Sequence, residues 1–346
     1  PNPRVGCVLA KNGGIVGEGF HQKAGEGHAE VNALKVAGDK AKGATAYVTL
    51  EPCSHFGRTP PCAQGLIDAG VNKVIAAMVD PNPQVAGKGL TMLEQAGIKT
   101  ASGLLENDAR ELNQGFLHLM EHQTPYVRCK LASSLDGKTA MASGESKWIT
   151  SNEARQDVQR LRAQSCAIIS GAPSVIADNA KMTVRHHELG SLSSRYLESE
   201  LRQPTRVILD NHNQVHGDLA LFSQQSPIIL FRHSIEKTQS FPHFVEQVSI
   251  PRKSGKLDLT AVLAHLATLG LNDVLIESGA KLAGAFIEQG LVNELVLYQA
   301  PQLMGDEGKG LCHLPSISEL KDAKKLKIKE LTLVGNDIKI VASLTT

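Results

Sequence analysis

Long apolar runs, aromatic side chains and an excess of charge of either sign are all scarce in this sequence of 346 residues. No apolar run approaches the roughly 18 residues that indicate a membrane-spanning helix. Aromatic residues make up 4% of the chain and the formal net charge is +1, whereas nucleic-acid-binding proteins usually carry a basic face or stacking platforms. The composition therefore predicts a globular protein that has neither a membrane nor a nucleic acid as its partner. A few local arginines would still suffice to bind a phosphorylated small molecule.

Cysteine is also sparse, with six residues, and only Cys53 and Cys62 have a spacing that suits metal ligands. The other four stand singly in apolar surroundings, as buried reduced thiols do in a cytoplasmic protein. The length suits two domains better than one core. Pro125 lies where a helical pattern gives way to a strand pattern, which predicts domains over residues 1–123 and 124–346.

One imidazole and two thiols form the strongest motif of the sequence: His28, Cys53 and Cys62. Three protein ligands leave the fourth position of a tetrahedral zinc site free for water, as in catalytic zinc sites. Glu30 lies in the predicted first turn of a helix and is expected to act as general acid and base. Zinc makes hydroxide available near neutral pH. Glu30 would take the proton from the water, pass it to a ring nitrogen and finally protonate the leaving ammonia. His-x-Glu followed by Pro-Cys and a second Cys is the signature of zinc nucleobase deaminases.

The spacing of the two cysteines distinguishes this chain from most zinc deaminases, because eight residues separate the cysteines where two are usual. His-Ala-Glu together with Pro-Cys-Ser-His-Phe-Gly-Arg-Thr-Pro-Pro-Cys resembles the bifunctional deaminase–reductase family of riboflavin biosynthesis. Lys-Leu-Ala-Ser-Ser-Leu-Asp-Gly-Lys at 130–138 and Ile-Glu-Ser-Gly at 276–279 resemble the reductase domain of that family. The resemblance implies an α/β protein with an N-terminal cytidine-deaminase-like three-layer domain and a C-terminal dihydrofolate-reductase-like domain. In the family, a helix precedes the point that corresponds to Pro1.

The resemblance also implies two reactions. The zinc domain would deaminate 2,5-diamino-6-(5-phosphoribosylamino)pyrimidin-4(3H)-one, and the second domain would use NADPH to reduce the ribosyl group of 5-amino-6-(5-phosphoribosylamino)uracil to ribityl. Substrate contacts are expected at Asn2, His21, Arg58, Asp80, Asn82, Lys130, Ser146, Arg162, Met182, Arg185 and Glu277. Cofactor contacts are expected at Ala132, Trp148, Ser174, Asp178, Asn211, Gly279, Ala280, Lys281, Leu282, Ala283, Gly284 and Ala285. A cytoplasmic location and a homo-oligomer are further expectations from the family.

The expected cofactor segment begins at Gly279, which follows a buried strand and precedes a helix. This order exposes backbone N–H groups to an anion such as pyrophosphate. The chain contains no Gly-x-Gly-x-x-Gly, so a Rossmann dinucleotide site is not expected. The residues alone do not separate NADPH from NADH.

Four local patterns give secondary-structure predictions. One helix is predicted over 106–122, and a capping box of Thr150 and Glu153 is predicted to open another. Residues 171–179 are predicted as a cofactor-side loop. A polar, helix-like insert is predicted over 188–201.

Two other readings of the sequence remain open. A zinc deaminase of nucleosides or tRNA with a C-terminal binding module is disfavoured by the long loop between the cysteines and by the lack of a basic stripe. A non-enzymatic protein with a structural zinc is disfavoured because the motif supplies three ligands and an acid–base group where a structural site uses four ligands.

Overall fold

Pro125 marks the division of the chain, because a proline shortly after a helix prevents its continuation. Gln123, whose φ is 58°, turns the backbone out of the helix that ends at His122. The computed structural model describes residues 3–55, 60–83, 85–235 and 239–344. It separates two compact units, Pro1–Gln123 and Thr124–Thr346. Among the helices of the described ranges, none combines the length and the apolar character that crossing a bilayer requires.

Five strands form the sheet of the first unit: β1 (Gly6–Lys11), β2 (Gly14–Phe20), β3 (Thr45–Val48), β4 (Lys73–Ala76) and β5 (Lys99–Ser102). Their order is β2-β1-β3-β4-β5. β1 pairs antiparallel with β2 and β3, whereas β3, β4 and β5 run parallel. Asn12 and Gly13, both with positive φ, form the hairpin turn that the glycine-rich sequence predicts.

Five helices accompany this sheet: α1 (Ala29–Ala37), α2 (Cys62–Asp68), α3 (Lys88–Gln95), α4 (Glu106–Leu112) and α5 (Gln114–His122). Ala33 of α1, Leu66 of α2 and Leu93 of α3 meet Val74 of the sheet in one apolar core. This packing brings the first turns of α1 and α2, which carry Glu30 and Cys62, to the same region of the unit.

The prediction of a single helix over 106–122 was wrong, because the helix is interrupted at Asn113 and two helices form instead. The Arg4 N–H donates to Asn113 Oδ1 at 2.7 Å, and Asn113 Nδ2 donates to Arg4 O at 2.9 Å. Asparagine side chains compete in this way with helical backbone bonds. The partner lies 109 residues away in the sequence, so no local pattern could reveal it.

The large sheet of the second unit has nine strands: β6 (Tyr126–Ser134), β8 (Ala167–Gly171), β9 (Thr205–Leu209), β10 (Ile228–Arg232), β11 (Val245–Ser249), β14 (Asp273–Glu277), β15 (Glu294–Ala300), β17 (Leu326–Val334) and β18 (Asp337–Leu344). Two small ribbons pair β7 (Lys138–Ala140) with β16 (Lys309–Gly310) and β12 (Arg252–Lys253) with β13 (Lys256–Leu257). The large sheet has the order β11-β10-β9-β8-β14-β6-β15-β18-β17 and is parallel up to β15. Only the last two pairs, β15–β18 and β17–β18, are antiparallel.

Four helices complete the described part of the second unit: α6 (Asn152–Gln164), α7 (Ala172–Asp178), α8 (Leu259–Thr268) and α9 (Ala280–Glu288). The loop predicted over 171–179 was wrong, because most of it is α7. Pro173 stands at the start of that helix, where proline is tolerated since its missing N–H has no intrahelical partner.

The predicted capping box was also wrong, because Ser151 caps α6 one position after Thr150. Ser151 Oγ accepts the Ala154 N–H at 3.2 Å, and the Ser151 N–H donates to Asp337 Oδ2 at 2.7 Å. The Glu153 side chain packs beside Gly335 and does not complete the capping box.

The helix-like insert predicted over 188–201 was wrong as well. The segment forms short 3-10 turns at His186–Glu188, Gly190–Ser194 and Glu198–Glu200. Gly190 has a φ of 61°, which a right-handed helix cannot accommodate.

Candidate functional site

The three predicted metal ligands lie together in the first unit, at the starts of two helices and after a strand. Their ligand atoms are within 4.8 Å of one another. His28 Nδ1 lies 3.2 Å from Cys62 Sγ and 3.6 Å from Cys53 Sγ. The Cys62 N–H also donates to Cys53 Sγ at 3.2 Å, which orients the sulfur toward the start of α2.

This donor set suits zinc, which prefers imidazole nitrogen and thiolate sulfur. The hydrogen bond from Cys62 lowers the pKa of the Cys53 thiol to about 4, burial opposes the shift, and His28 supports it. Cys53 is therefore prepared to be a thiolate donor. The described residues supply three ligands at this cluster, as a catalytic rather than a closed structural site requires.

Glu30 lies beside this cluster and is only 3% exposed. Burial raises the pKa of its carboxyl to about 7, the charge of Cys53 adds to the rise, and its own backbone N–H, Cys62 and His28 oppose it. A carboxyl group that titrates near neutral pH beside a metal site can both accept and donate a proton.

Three predicted substrate residues of the first unit fall within the described ranges: His21, Asp80 and Asn82. The His21 ring packs edge-on against His28, with centroids 5.5 Å apart. Asp80 is buried, and its Oδ1 accepts the Asn82 N–H at 2.8 Å. Burial raises the pKa of Asp80, with Glu51 and Cys53 adding to the rise. Asn2 and Arg58 lie outside the described residues.

A second group of charges meets in the second unit, at the carboxyl edge of the parallel strands, where ligands bind in open α/β sheets. Glu277 ends β14 and is the register partner of Lys130 on β6. Arg162 donates to both carboxylate oxygens of Glu277, from Nε at 2.6 Å and from Nη2 at 3.0 Å. Burial opposes the ionisation of Glu277, but this ion pair outweighs it and lowers its pKa. Burial lowers the pKa of Lys130, Arg162 adds to that shift, and Glu277 opposes it.

Arg185 lies near the same group and contributes to the field at Glu277. Its Nε and Nη2 donate to Glu188 at 2.6 Å each, so its guanidinium is already held in place. Met182 is buried and has a φ of 54°.

Part of the predicted cofactor set lies around a cavity of about 520 Å³ at the same edge of the sheet. Asn211, Lys281, Leu282 and Ala285 line it. Nearby, Ser174 Oγ would be 3.6 Å from a Cβ atom on Gly279, which puts the hydroxyl beside the start of α9. Lys253 and Lys256, from the β12–β13 ribbon, also line the cavity and were missed from the sequence. The Lys-Ser-Gly-Lys turn that carries them is visible in the sequence as a ribbon signal, but its position beside α9 is not.

Other predicted cofactor residues have protein partners or are buried. Ala283 and Gly284 lie in the core, where a Cβ on Gly284 would be 2.0 Å from His313 O, so this glycine allows close packing. Lys147 pairs with Asp178 at 3.2 Å, and the Arg155 guanidinium lies 4.7 Å from the centroid of the Trp148 ring. Ala132 lies on β6 opposite Tyr298, and Ala280 begins α9. Ser146, which was predicted to contact the substrate, is exposed.

Comparison with known proteins decides the family. The family model of the RibD C-terminal domain matches residues 125–340, and the cytidine and deoxycytidylate deaminase zinc-binding region matches residues 1–78. Riboflavin biosynthesis protein RibD of Escherichia coli is 51% identical over 339 residues, 98% of this chain and 92% of that protein. The chain belongs to the RibD family of riboflavin biosynthesis proteins.

Solved structures of the RibD family agree with this membership. Acinetobacter baumannii RibD is 42% identical with a TM-score of 0.88, covering 100% of this chain and 93% of that chain. A diaminohydroxyphosphoribosylaminopyrimidine deaminase/5-amino-6-(5-phosphoribosylamino)uracil reductase from Thermotoga maritima is 31% identical with a TM-score of 0.86 and the same coverage.

Membership in the RibD family confirms the predicted α/β fold class and the pairing of a zinc-dependent deaminase with an NADPH-dependent reductase. The alternative of a nucleoside or tRNA deaminase with a C-terminal binding module is not favoured, because the second unit matches the reductase family model. The roles of the individual residues stay predictions.

Proposed function

We propose that this chain catalyses two successive steps of riboflavin biosynthesis. The first is hydrolytic deamination of 2,5-diamino-6-(5-phosphoribosylamino)pyrimidin-4(3H)-one in residues 1–123. The second is NADPH-dependent reduction of 5-amino-6-(5-phosphoribosylamino)uracil in residues 124–346. The single observation that carries the proposal is the buried Glu30 carboxyl beside the three-donor cluster, in a chain whose second half matches the reductase family model.

Glu30 is the acid–base group of the proposed deamination, which exchanges an amino group for oxygen from water and releases ammonia. His28, Cys53 and Cys62 would hold zinc, which activates water as a nucleophile near neutral pH when bound. Water loses one proton in the addition, and the ring nitrogen gains it. The added hydroxyl loses its remaining proton as the carbonyl forms, and the departing nitrogen gains that one. A carboxyl with a pKa of about 7 can carry these protons in both directions at neutral pH.

Lys130, Arg162 and Glu277 would position the sugar of the second substrate. NADPH would supply a hydride to the sugar carbon that carries the amine nitrogen. The ring oxygen, whose bond to that carbon breaks, must then gain a proton to become a hydroxyl group. Lys130 is the proposed donor of this proton, because burial lowers its pKa and makes release of the proton easier. The bidentate contact of Arg162 fixes the Glu277 carboxylate in one orientation, which leaves a defined acceptor edge for a hydroxyl group.

A cytoplasmic location and self-association also belong to this proposal. All six cysteines are free thiols, as expected in a reducing compartment. The outermost strand β17 carries Leu326, Ile328, Leu331 and Leu333, all exposed. A bulge between Ile328 and Glu330 keeps these four side chains on one face of the strand. An apolar row on a sheet edge supports a homo-oligomer that covers it.

Product analysis by mass spectrometry tests both steps. The diaminopyrimidine ribotide is supplied with and without NADPH to the zinc-loaded protein. Without NADPH the product should carry O in place of one NH and ammonia should be released. With NADPH the product should gain two further hydrogens. Release of ammonia without the subsequent reduction, or the absence of both, would overturn the corresponding half of the proposal.

Glu30→Gln separates the two steps within one protein. The amide cannot accept a proton, so ammonia release should fall by about 10²–10⁴-fold. The variant should keep its zinc, measured by atomic absorption, and should still reduce the uracil intermediate with NADPH. Full deaminase activity in this variant would remove Glu30 from the mechanism.

A further inference from the structure

The Glu51 carboxylate, two positions before the ligand Cys53, accepts four backbone N–H groups from one distant segment of the described chain. Its Oε2 accepts the N–H of Asp80 at 3.1 Å and that of Gly87 at 2.9 Å. Its Oε1 accepts the N–H of Gly89 at 2.8 Å and that of Leu90 at 3.3 Å. Glu51 is 4% exposed, so these four bonds replace the water that a carboxylate normally binds.

These hydrogen bonds connect the segment that carries the metal ligand Cys53 to the segment that carries Asp80 and Asn82. The proposed deaminase needs the two segments at a fixed distance from each other. On one side, Glu51 continues through Pro52 into Cys53. On the other side, Asp80 begins the turn that leads to Asn82, and Gly87, Gly89 and Leu90 form the start of α3. Carboxylates are favoured at helix starts, because the first N–H groups have no intrahelical partner.

The backbones of the two segments are also in direct contact. A Cβ on Gly89 would lie 1.9 Å from Pro52 O, so only glycine permits this approach. The Glu51 N–H donates to Met78 O at 3.0 Å, which adds a bond two residues before the turn. The position of Asp80 relative to Cys53 therefore depends on one carboxylate and on one close backbone approach.

We propose that Glu51 is a positioning residue of the deaminase site: it holds the Asp80–Asn82 turn at a fixed distance from the Cys53 ligand. The inference rests on the proposed function, in which Asp80 and Asn82 contact the pyrimidine ribotide. Glu51 itself does not contact substrate or metal; it acts through the backbone of Asp80.

Glu51→Gln is the nearly isosteric test. One oxygen still accepts its two N–H groups, but the new NH2 group faces the other pair, donor against donor. The Asp80 turn should shift, and misplacement by about 1 Å can cost up to about 10²-fold in rate. We expect KM for the diaminopyrimidine ribotide to rise about tenfold or more, with a smaller fall in kcat. Zinc content and reductase activity on the supplied uracil intermediate should stay at wild-type values.

A double-mutant cycle distinguishes positioning from a general loss of stability. If Glu51 acts through Asp80, Asp80→Asn should raise KM less in the Glu51→Gln background than in the wild type, by at least about threefold. A purely structural role would lower the active, zinc-loaded fraction at unchanged KM, and the effects of the two substitutions would multiply. Glu106→Gln, at the exposed start of α4, is the matched control and should leave both constants unchanged.

Glu51→Asp provides a second route if the glutamine variant does not fold. It keeps both oxygens on a shorter side chain. Its KM should therefore lie between that of the wild type and the roughly tenfold higher value expected when the Asp80 turn is displaced. Wild-type kcat and KM in a folded Glu51→Gln variant, or wild-type constants in Glu51→Asp, would overturn the inference. Absence of deaminase activity in the wild-type protein would instead overturn the proposed function.

Discussion

Glu277 illustrates how single residues in this chain depend on their partners. Its carboxylate is mostly buried, and the Arg162 fork keeps it ionised against the cost of burial. A carboxyl whose pKa is lower in the folded state stabilises that state above its unfolded pKa of about 4.3. This contribution is lost as the pH falls through the lower, folded value. This pair should therefore contribute to the acid sensitivity of the second unit.

Urea unfolding followed by the emission of Trp148 tests this dependence. Between pH 6 and pH 3, the wild-type free energy of unfolding should fall more steeply than that of Glu277→Gln, which has no carboxyl to protonate. Both proteins should converge at the acid end of the series. Parallel curves for the two proteins would mean that Arg162 does not hold Glu277 in this way.

Residue type and spacing predicted His28, Cys53, Cys62 and Glu30 because metal chemistry restricts the choice of side chain. The function of Glu51 could not be predicted in the same manner. Its four partners are backbone N–H groups, which every residue except proline carries, and they approach Glu51 only after the sheet and α3 have formed. Lys253 and Lys256 were missed for the same reason, since only the fold brings their ribbon to the cavity beside α9.

At the scale of elements, strands were easier to predict than helix ends. The strand Asp273–Glu277 could be read directly from its apolar run, because a buried parallel strand needs apolar residues on both faces. Helix boundaries depended on tertiary contacts instead. Asn113 is held by Arg4 and Ser151 by Asp337, and neither partner is close in sequence.

The start of α6 offers a direct comparison between pattern and structure. Ser151→Ala removes the hydroxyl that accepts the Ala154 N–H and should lower the free energy of unfolding by about 1 kcal/mol. Thr150→Ala removes the residue that the sequence pattern favours, and its effect should be close to zero. Urea denaturation of both variants provides the measurement; a larger loss for Thr150→Ala would restore the original capping box.

At the scale of the whole molecule, β17 is the element whose exposed apolar side chains best support an interface with a second copy of the chain. Leu331 and Leu333 are 62% and 73% exposed on an outermost strand. Leu331→Glu would introduce a charge into the apolar row and should shift the mass measured by light scattering toward that of one chain. Thr332→Glu, on the opposite face, is the matched control and should leave the mass unchanged. A wild-type protein that already has the mass of one chain would contradict the proposed self-association.

Trp148 is a built-in fluorescent probe that can also report on ligand binding. It is the only tryptophan in the chain, it belongs to the second unit, and 69% of it is exposed beside the Arg155 guanidinium. Ultraviolet emission from this protein therefore reports on one of its two halves, without any label. Titration with NADPH should quench that emission if the nicotinamide lies against the indole. An unchanged spectrum at saturation would mean that the nicotinamide does not bind beside Trp148. The same signal allows cofactor binding to be followed while deamination proceeds unseen in the other half.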